Sequence, residues 1–212
     1  MDANRDVSVD AAYENWRLED ENLAKNNRRR RSCFMFDQYP GMITLSRDII
    51  QFADQSVLFY HRNPNNDQVP GILLAQQGLK TSADEISDDI DGRTFGGMLV
   101  GENFISAGET TGQYQVSPYK AWHLKSQKLS QKHHLRIITH IDQTDTVARW
   151  QSDLQTQVNA SAGNLEASRT DPQAWWAAFW ERSWICINPD RPDPSSKAWR
   201  AARNYNLFRY QL

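Results

Sequence analysis

The chain offers carboxylates, histidines and tryptophans in numbers that invite chemistry, but few in spacings that fix it. Glu102, Glu109, Asp142, Asp145 and Glu181 are the loose acidic candidates. Breaking a glycosidic bond requires two carboxyl groups flanking it, about 5 to 9.5 Å apart. None of the five sits in a motif that supplies its partner, and Glu181, beside Arg182, reads as a solvated or paired carboxylate. Among the histidines, His123, His133, His134 and His140, His134 and His140 share strand parity and so face the same way. No carboxylate or third ligand completes a set with them along the sequence, so neither a metal nor a cofactor is expected.

Five acids crowd Asp84, Glu85, Asp88, Asp89 and Asp91. They lack the Asp-x-Asp-x-Asp-Gly register of a calcium loop and read as a solvated loop. Gly96, Gly97 and Gly101 lack the following Lys-Ser/Thr of a phosphate loop. No Gly-x-Ser-x-Gly elbow presents a nucleophilic serine. Cys33 and Cys186 are far apart in sequence, and nothing in that spacing decides whether they pair.

Bulk composition narrows the classes. The chain has 212 residues, a net charge of −2, 39% hydrophobic and 11% aromatic residues, and a mean hydropathy of −0.73. That is one ordinary domain or one domain with an appendage, large enough to bury roughly 70% of its unfolded surface. The near-neutral charge excludes a globally basic nucleic-acid binder, and no apolar run approaches the ~18 residues of a bilayer span. Neither nucleic acid nor membrane is expected as a partner. Arg28 to Arg31 read as a solvated linker, and so does the basic stretch Lys120, Lys125, Lys128, Lys132 and Arg136 as a sheet face beside Tyr119 and Trp122.

The elements that would position these groups fall into three stretches. Residues 8 to 26 read as a helix, with Ser8 as cap and Val9, Ala12, Tyr13, Trp16 and Leu23 as a loose stripe; with the arginine run they make an N-terminal segment, 1–39. Residues 40–142 carry short β-branched and aromatic runs separated by turns: Gly41–Leu45, Ser56–His61, Gly71–Ala75, Gly97–Ile105, Tyr114–Val116, 119–126 and 134–141, with Asn63–Asp67 as a turn cluster. That patterning argues for an antiparallel β-sandwich. Residues 143–212 turn helical. Thr144 caps a helix bearing Val147, Trp150, Leu154 and Val158, and Ser161–Arg169 reads as a loop. Asp171-Pro172 opens a second helix, Trp184–Asn188 reads as a short strand, and a third helix starts near Ser195. The fold class expected is mainly β with α.

Tryptophan is the unusual residue. Of eight, four lie between Trp175 and Trp184. Trp176, Trp180 and Trp184 form one helical stripe, broadened by Trp175 and Phe179 to about half the circumference, wider than the ~100° of an ordinary surface helix. The last helix repeats the theme with Ala201, Tyr205, Phe208 and Leu212, and Trp199 beside them. Trp175, Trp176, Phe179, Trp180, Trp184, Tyr205 and Phe208 are therefore the candidates for an interface with a second lobe.

The segments Asp91-Gly-Arg-Thr-Phe-Gly-Gly97, His140-Ile-Asp-Gln-Thr144 with Trp150, Trp175-Trp-Ala-Ala-Phe-Trp-Glu-Arg-Ser-Trp-Ile185 and Tyr205-Asn-Leu-Phe-Arg-Tyr210 together resemble the N-terminal part of six-hairpin glycoside hydrolases, similar to the α-L-fucosidase layout. The resemblance covers roughly residues 40 to 212. It implies a β-sandwich, then a Trp-rich helical linker, then an (α/α)6 barrel that is missing from this chain. The helix expected at 8–26 departs from that layout. Because the catalytic carboxylates of such proteins are expected in or around the barrel, no catalytic residue is carried over. The resemblance implies carbohydrate as the partner, with a separate helical barrel domain, and kinship with secreted proteins, although Met1 to Asp10 show no secretory signal. The expectation is a non-catalytic sandwich and linker acting on carbohydrate, the alternative a stand-alone carbohydrate-binding or protein-interaction module. Trp122 and Trp150 are the residues expected to present rings to sugar.

Overall fold

A computed structural model describes residues 2–23, 42–63, 68–163 and 165–211. The chain divides into two compact units, Met1–Val158 and Asn159–Leu212.

The first unit is built on two antiparallel sheets. One has the order β11-β7-β6-β5, from Leu135–Gln143 (β11), Arg93–Gly101 (β7), Ser56–Arg62 (β6) and Ile49–Ala53 (β5). The other has the order β2-β9-β8, from Asp10–Asn15 (β2), Ser117–Ser126 (β9) and Phe104–Tyr114 (β8). Two small ribbons complete it: Asp2–Val7 (β1) with Ser130–Lys132 (β10), and Glu21–Leu23 (β3) with Ile43–Leu45 (β4). Period-2 alternation decides which side chains go where. Val57 and Leu99 face the second sheet and pack with Phe104, Trp122 and Leu124. Their neighbours Leu58 and Met98 point the other way, against Trp150, Leu154 and Val158. The sandwich core is thus backed by a second layer under helix Val147–Ala162 (α2). Each fully buried side chain of this kind contributes roughly 1.5–3 kcal/mol of transfer free energy.

The mainly-β fold with helices is the one expected; several elements differ. Residues 8–23, the described part of the stretch 8–26, form no helix. Ala11, Tyr13 and Asn15 turn inward while Asp10, Ala12 and Glu14 face solvent, and Tyr13 sits opposite Trp122 in the β2–β9 register. The apparent helical stripe was a coincidence of spacing; the long apolar β9 offered an edge, and pairing with it satisfies the backbone and buries Tyr13 at once. Residues 10–15 therefore belong to the sandwich rather than preceding it.

Gly71–Ala75 is not a strand but part of helix Gln68–Gln76 (α1). A four-residue apolar run does not distinguish the two by periodicity. Gly78, at φ +71°, ends the helix: its N–H donates to the Ala75 carbonyl and that of Leu79 to the Leu74 carbonyl, a Schellman pair that needs the left-handed conformation. A 3₁₀ turn, Lys80–Glu85, follows. Gly96 has a different reason: a Cβ there would stand 2.1 Å from the Phe59 carbonyl oxygen, so strands β6 and β7 approach this closely only because the side chain is absent.

The cap of α2 is Thr146, whose hydroxyl accepts the Arg149 N–H at 3.2 Å, and not Thr144. The expected loop 161–169 is mostly helix: Leu165–Arg182 (α3) starts well before Asp171 and carries Pro172 inside it. Trp184–Asn188 forms no strand. Instead the Asn206 side-chain amide imitates one, accepting the Ile185 N–H at 3.1 Å and donating to the Ile185 carbonyl at 2.8 Å. Asn206 lies on the last helix, Lys197–Gln211 (α4).

In the second unit α3 and α4 meet through rings. Trp176 stacks on Tyr210 at 5.4 Å, and the Arg209 guanidinium lies 4.3 Å from the centroid of Phe179 while donating to the Phe179 carbonyl at 3.0 Å. Among the described residues, no helix is long and apolar enough to cross a membrane. The arginine run, Cys33 and most of the Asn63–Asp67 turn lie outside the described residues; Cys186 is exposed and free.

Candidate functional site

The most developed concavity of the first unit opens where β2 ends. The chain leaves the sheet at Asn15, whose side-chain oxygen accepts the Arg17 N–H at 2.6 Å. The Arg17 carbonyl then accepts the Asp48 N–H at 3.1 Å, and Asp20 accepts the Arg47 N–H at 2.8 Å. These bonds stitch residues 15–20 to the segment before β5. Between them and the β3–β4 ribbon lies a cleft of about 1020 Å³, lined among others by Glu14, Trp16, Glu19, Asp20, Asn22 and Pro118. Trp16 is 52% exposed, its ring tilted against Tyr119 at 6.3 Å. Among the described residues, Glu14, Glu19, Asp20, Glu21 and Asp48 line the cleft against one guanidinium, Arg17, an acidic lining that disfavours anionic ligands.

The floor is a polar network. Asp48 accepts from Asn15 Nδ2 at 2.8 Å and from Arg17 Nη1 at 3.1 Å, and its Oδ1 lies 2.9 Å from His61 Nδ1. Arg17 Nη1 is also 3.0 Å from that nitrogen. Nδ1 serves one neighbour at a time: when it carries a proton it donates to Asp48, and Arg17 bonds the carboxylate alone. Tyr13, stacked on Phe59 at 4.1 Å, sits beside this carboxylate. Burial first, then the Asp48 charge, push its phenol above the ordinary value, against the opposing effects of the Asn15 hydrogen bond and Arg17. Asp48 is thus oriented under the open cleft by Asn15 and Arg17, and by His61 when its Nδ1 carries the proton.

The rings expected to meet sugar are elsewhere. Trp122 is 5% and Trp150 0% exposed. Trp122 faces the sandwich interior, and Trp150 is closed in by Tyr60 and His140. Both roles are corrected for the same reason: an indole in mid-strand or on the inner stripe of a helix is worth more to the core than to the surface. Along the sequence Trp16 counts only toward a helical stripe; the signal that places it at a rim is Trp-Arg directly after an alternating Ala-x-Tyr-x-Asn run.

The interface candidates fall into two groups. Trp176, Phe179 and Trp180 are partly buried within their own helices, and Tyr205 is exposed. Trp175, Trp184 and Phe208 stand open at 54%, 61% and 59%.

Of the loose carboxylates, Glu109 pairs with Lys120 at 2.6 Å and Glu181 is exposed. Asp142 lies with His140 and Asp153, their ligand atoms within 4.8 Å of one another. His134 does not join them. His123 sits between Asp10 and Thr110, and His133 bonds the Val7 and Ser130 carbonyls. In the acidic stretch, Asp88 caps the Ile90 and Asp91 amides, a local turn.

The family model described as "Domain of unknown function (DUF5703)", its N-terminal part, matches residues 1–185. The chain belongs to this family. The match takes in all eleven strands among the described residues and runs to Ile185, which includes the cleft, the His140 group and the aromatic helix α3. No curated protein and no solved structure matches the chain.

Proposed function

We propose that this member of the DUF5703 family is the carbohydrate-contacting, non-catalytic N-terminal region of a glycoside hydrolase-like protein, and that the cleft at Trp16 is where it meets sugar. The half-exposed indole at the rim of a polar cleft carries this reading. Sugar rings offer an apolar C–H face to an aromatic plane while their hydroxyls seek planar hydrogen-bonding groups at the edge. Trp16 supplies the plane, and Asp20, Asn22 and Asp48 supply the edge. The excess of carboxylates selects a neutral oligosaccharide over uronates or phosphorylated sugars.

The family match, ending at Ile185 after the Trp-rich segment, agrees with a region that adjoins a further domain. The exposed rings Trp175, Trp184 and Phe208 support a contact with that domain, because exposed aromatic side chains are common anchors of an interface. An array of neutral and acidic oligosaccharides probed with the pure chain tests the proposal. Binding to neutral members, insensitive to salt and weakened about 15-fold by Trp16→Ala, is the expected result. Preferred binding to acidic members, or hydrolysis of aryl glycosides lost on substitution of a carboxylate, would overturn it.

A further inference from the structure

His140 and Asp142 alternate onto one face of β11, and α2 folds back over that face through a three-residue connection, Thr144–Thr146. Asp153 thereby comes down beside them. The three side chains bring one imidazole nitrogen and two carboxylate oxygens within 4.8 Å of one another. Ligands about 2.0–2.2 Å from a shared ion are roughly 3–4 Å apart, so small rotamer adjustments close the set.

Each side chain has one polar atom already used for positioning. His140 Nδ1 lies 2.9 Å from the Gln157 amide, one turn along α2 from Asp153. Asp142 Oδ1 accepts the Gln143 N–H at 2.8 Å, and Asp153 Oδ2 accepts from Arg149 Nε at 2.9 Å. His140 Nε2 is buried with no hydrogen-bond partner among the described residues, an expensive condition for a polar atom. The ring is stacked on Trp150 at 5.8 Å, which fixes its plane. An oriented imidazole, second-shell support from a side-chain amide and two carboxylates is the donor arrangement of a divalent metal site.

We propose that His140, Asp142 and Asp153 bind a first-row divalent transition-metal cation, with Gln157 as the positioning residue for His140. The mixed imidazole and carboxylate donors suit Zn²⁺ or Mn²⁺ better than Ca²⁺, which takes oxygen alone. Asp142 is exposed, so the remaining coordination positions open to water. Arg149 is the competitor: its side chain is largely exposed, and it swings into solvent when the ion takes the Asp153 carboxylate. The ion would clasp β11 to α2 at the layer that closes over Trp150.

The test is calorimetric titration of the chelator-treated full chain with Zn²⁺, joined to X-ray absorption at the zinc edge. One ion per chain is expected, in a shell of nitrogen and oxygen without sulfur. Asp142→Asn and Asp153→Asn, both isosteric, should each abolish measurable binding while the circular dichroism spectrum is unchanged. Gln157→Leu should weaken binding about 10- to 100-fold. At a hundredfold excess over Kd the melting temperature should rise by roughly 5–10 °C. No binding up to about 1 mM Zn²⁺, affinity unchanged in both asparagine variants, or sulfur in the shell, which would place the ion on a cysteine instead, overturns the proposal.

Discussion

Replacing Trp16 by alanine is the perturbation that bears most directly on the sugar cleft. A tryptophan presents up to about 250 Å²; with 52% exposed, about 130 Å² of Trp16 remains open. A pyranose covers one face of the two, so about 65 Å² leaves water on binding, worth about 1.6 kcal/mol at roughly 25 cal/mol per Å². The expected loss in affinity is therefore about 15-fold. The fold should not suffer, since the side chain lies outside both buried clusters and surface substitutions usually shift stability by no more than about 0.5 kcal/mol. Titration of the variant and the unmodified chain with the tightest neutral oligosaccharide, followed by amide chemical shifts, measures both quantities. Equal affinity in the two proteins would refute the stacking argument. So would shift changes centred away from residues 13–22 and 45–48.

Trp150→Ala should cost about 3–5 kcal/mol in urea unfolding. Trp150→Phe should cost less than half of that, because the indole N–H is buried without an acceptor among the described residues and its removal offsets part of the lost packing. Gly96→Ala should lower stability by about 3 kcal/mol or more, since the added methyl meets the backbone of Phe59 and Tyr60; a melting curve indistinguishable from that of the parent would contradict the close approach of β6 and β7. Tyr13 holds its proton more tightly folded than unfolded, so its contribution is fully present below the ordinary tyrosine value of 10.0. It is lost as pH rises through the raised folded value. Tyr13→Phe should flatten that alkaline part of the stability profile, measured by urea titration at successive pH values. Trp175→Ser with Trp184→Ser should reduce binding of a hydrophobic dye while the melting temperature stays within about 2 °C.

The amino-acid order alone determined that β6, β7, β9 and β11 are strands and that Trp150, Leu154 and Val158 form an inner stripe, because these signals are local; it did not determine the covered face of β11, where Ile137 and Ile141 stand exposed while Ile138 and His140 face α2. It could not determine residues 10–15, where Ala11 and Tyr13 at strand period compete with a helical stripe of equal quality; pairing with β9, more than a hundred residues away, broke the tie. The same limit applies to α1, where only the Schellman end at Gly78 distinguishes a helix from a short strand, and to Ile185, whose extended backbone is satisfied by one amide on a later helix. For function the boundary is sharper. Types and spacing revealed that indoles were abundant, but burial decided which ones face water, sending Trp122 and Trp150 inward and leaving Trp16 at the rim. His140 and Asp142 share strand parity, but Asp153 reaches them only because α2 reverses over the sheet. Contacts across long sequence separations depend on which faces are buried together, and that is settled by packing the whole chain rather than by any one segment of it.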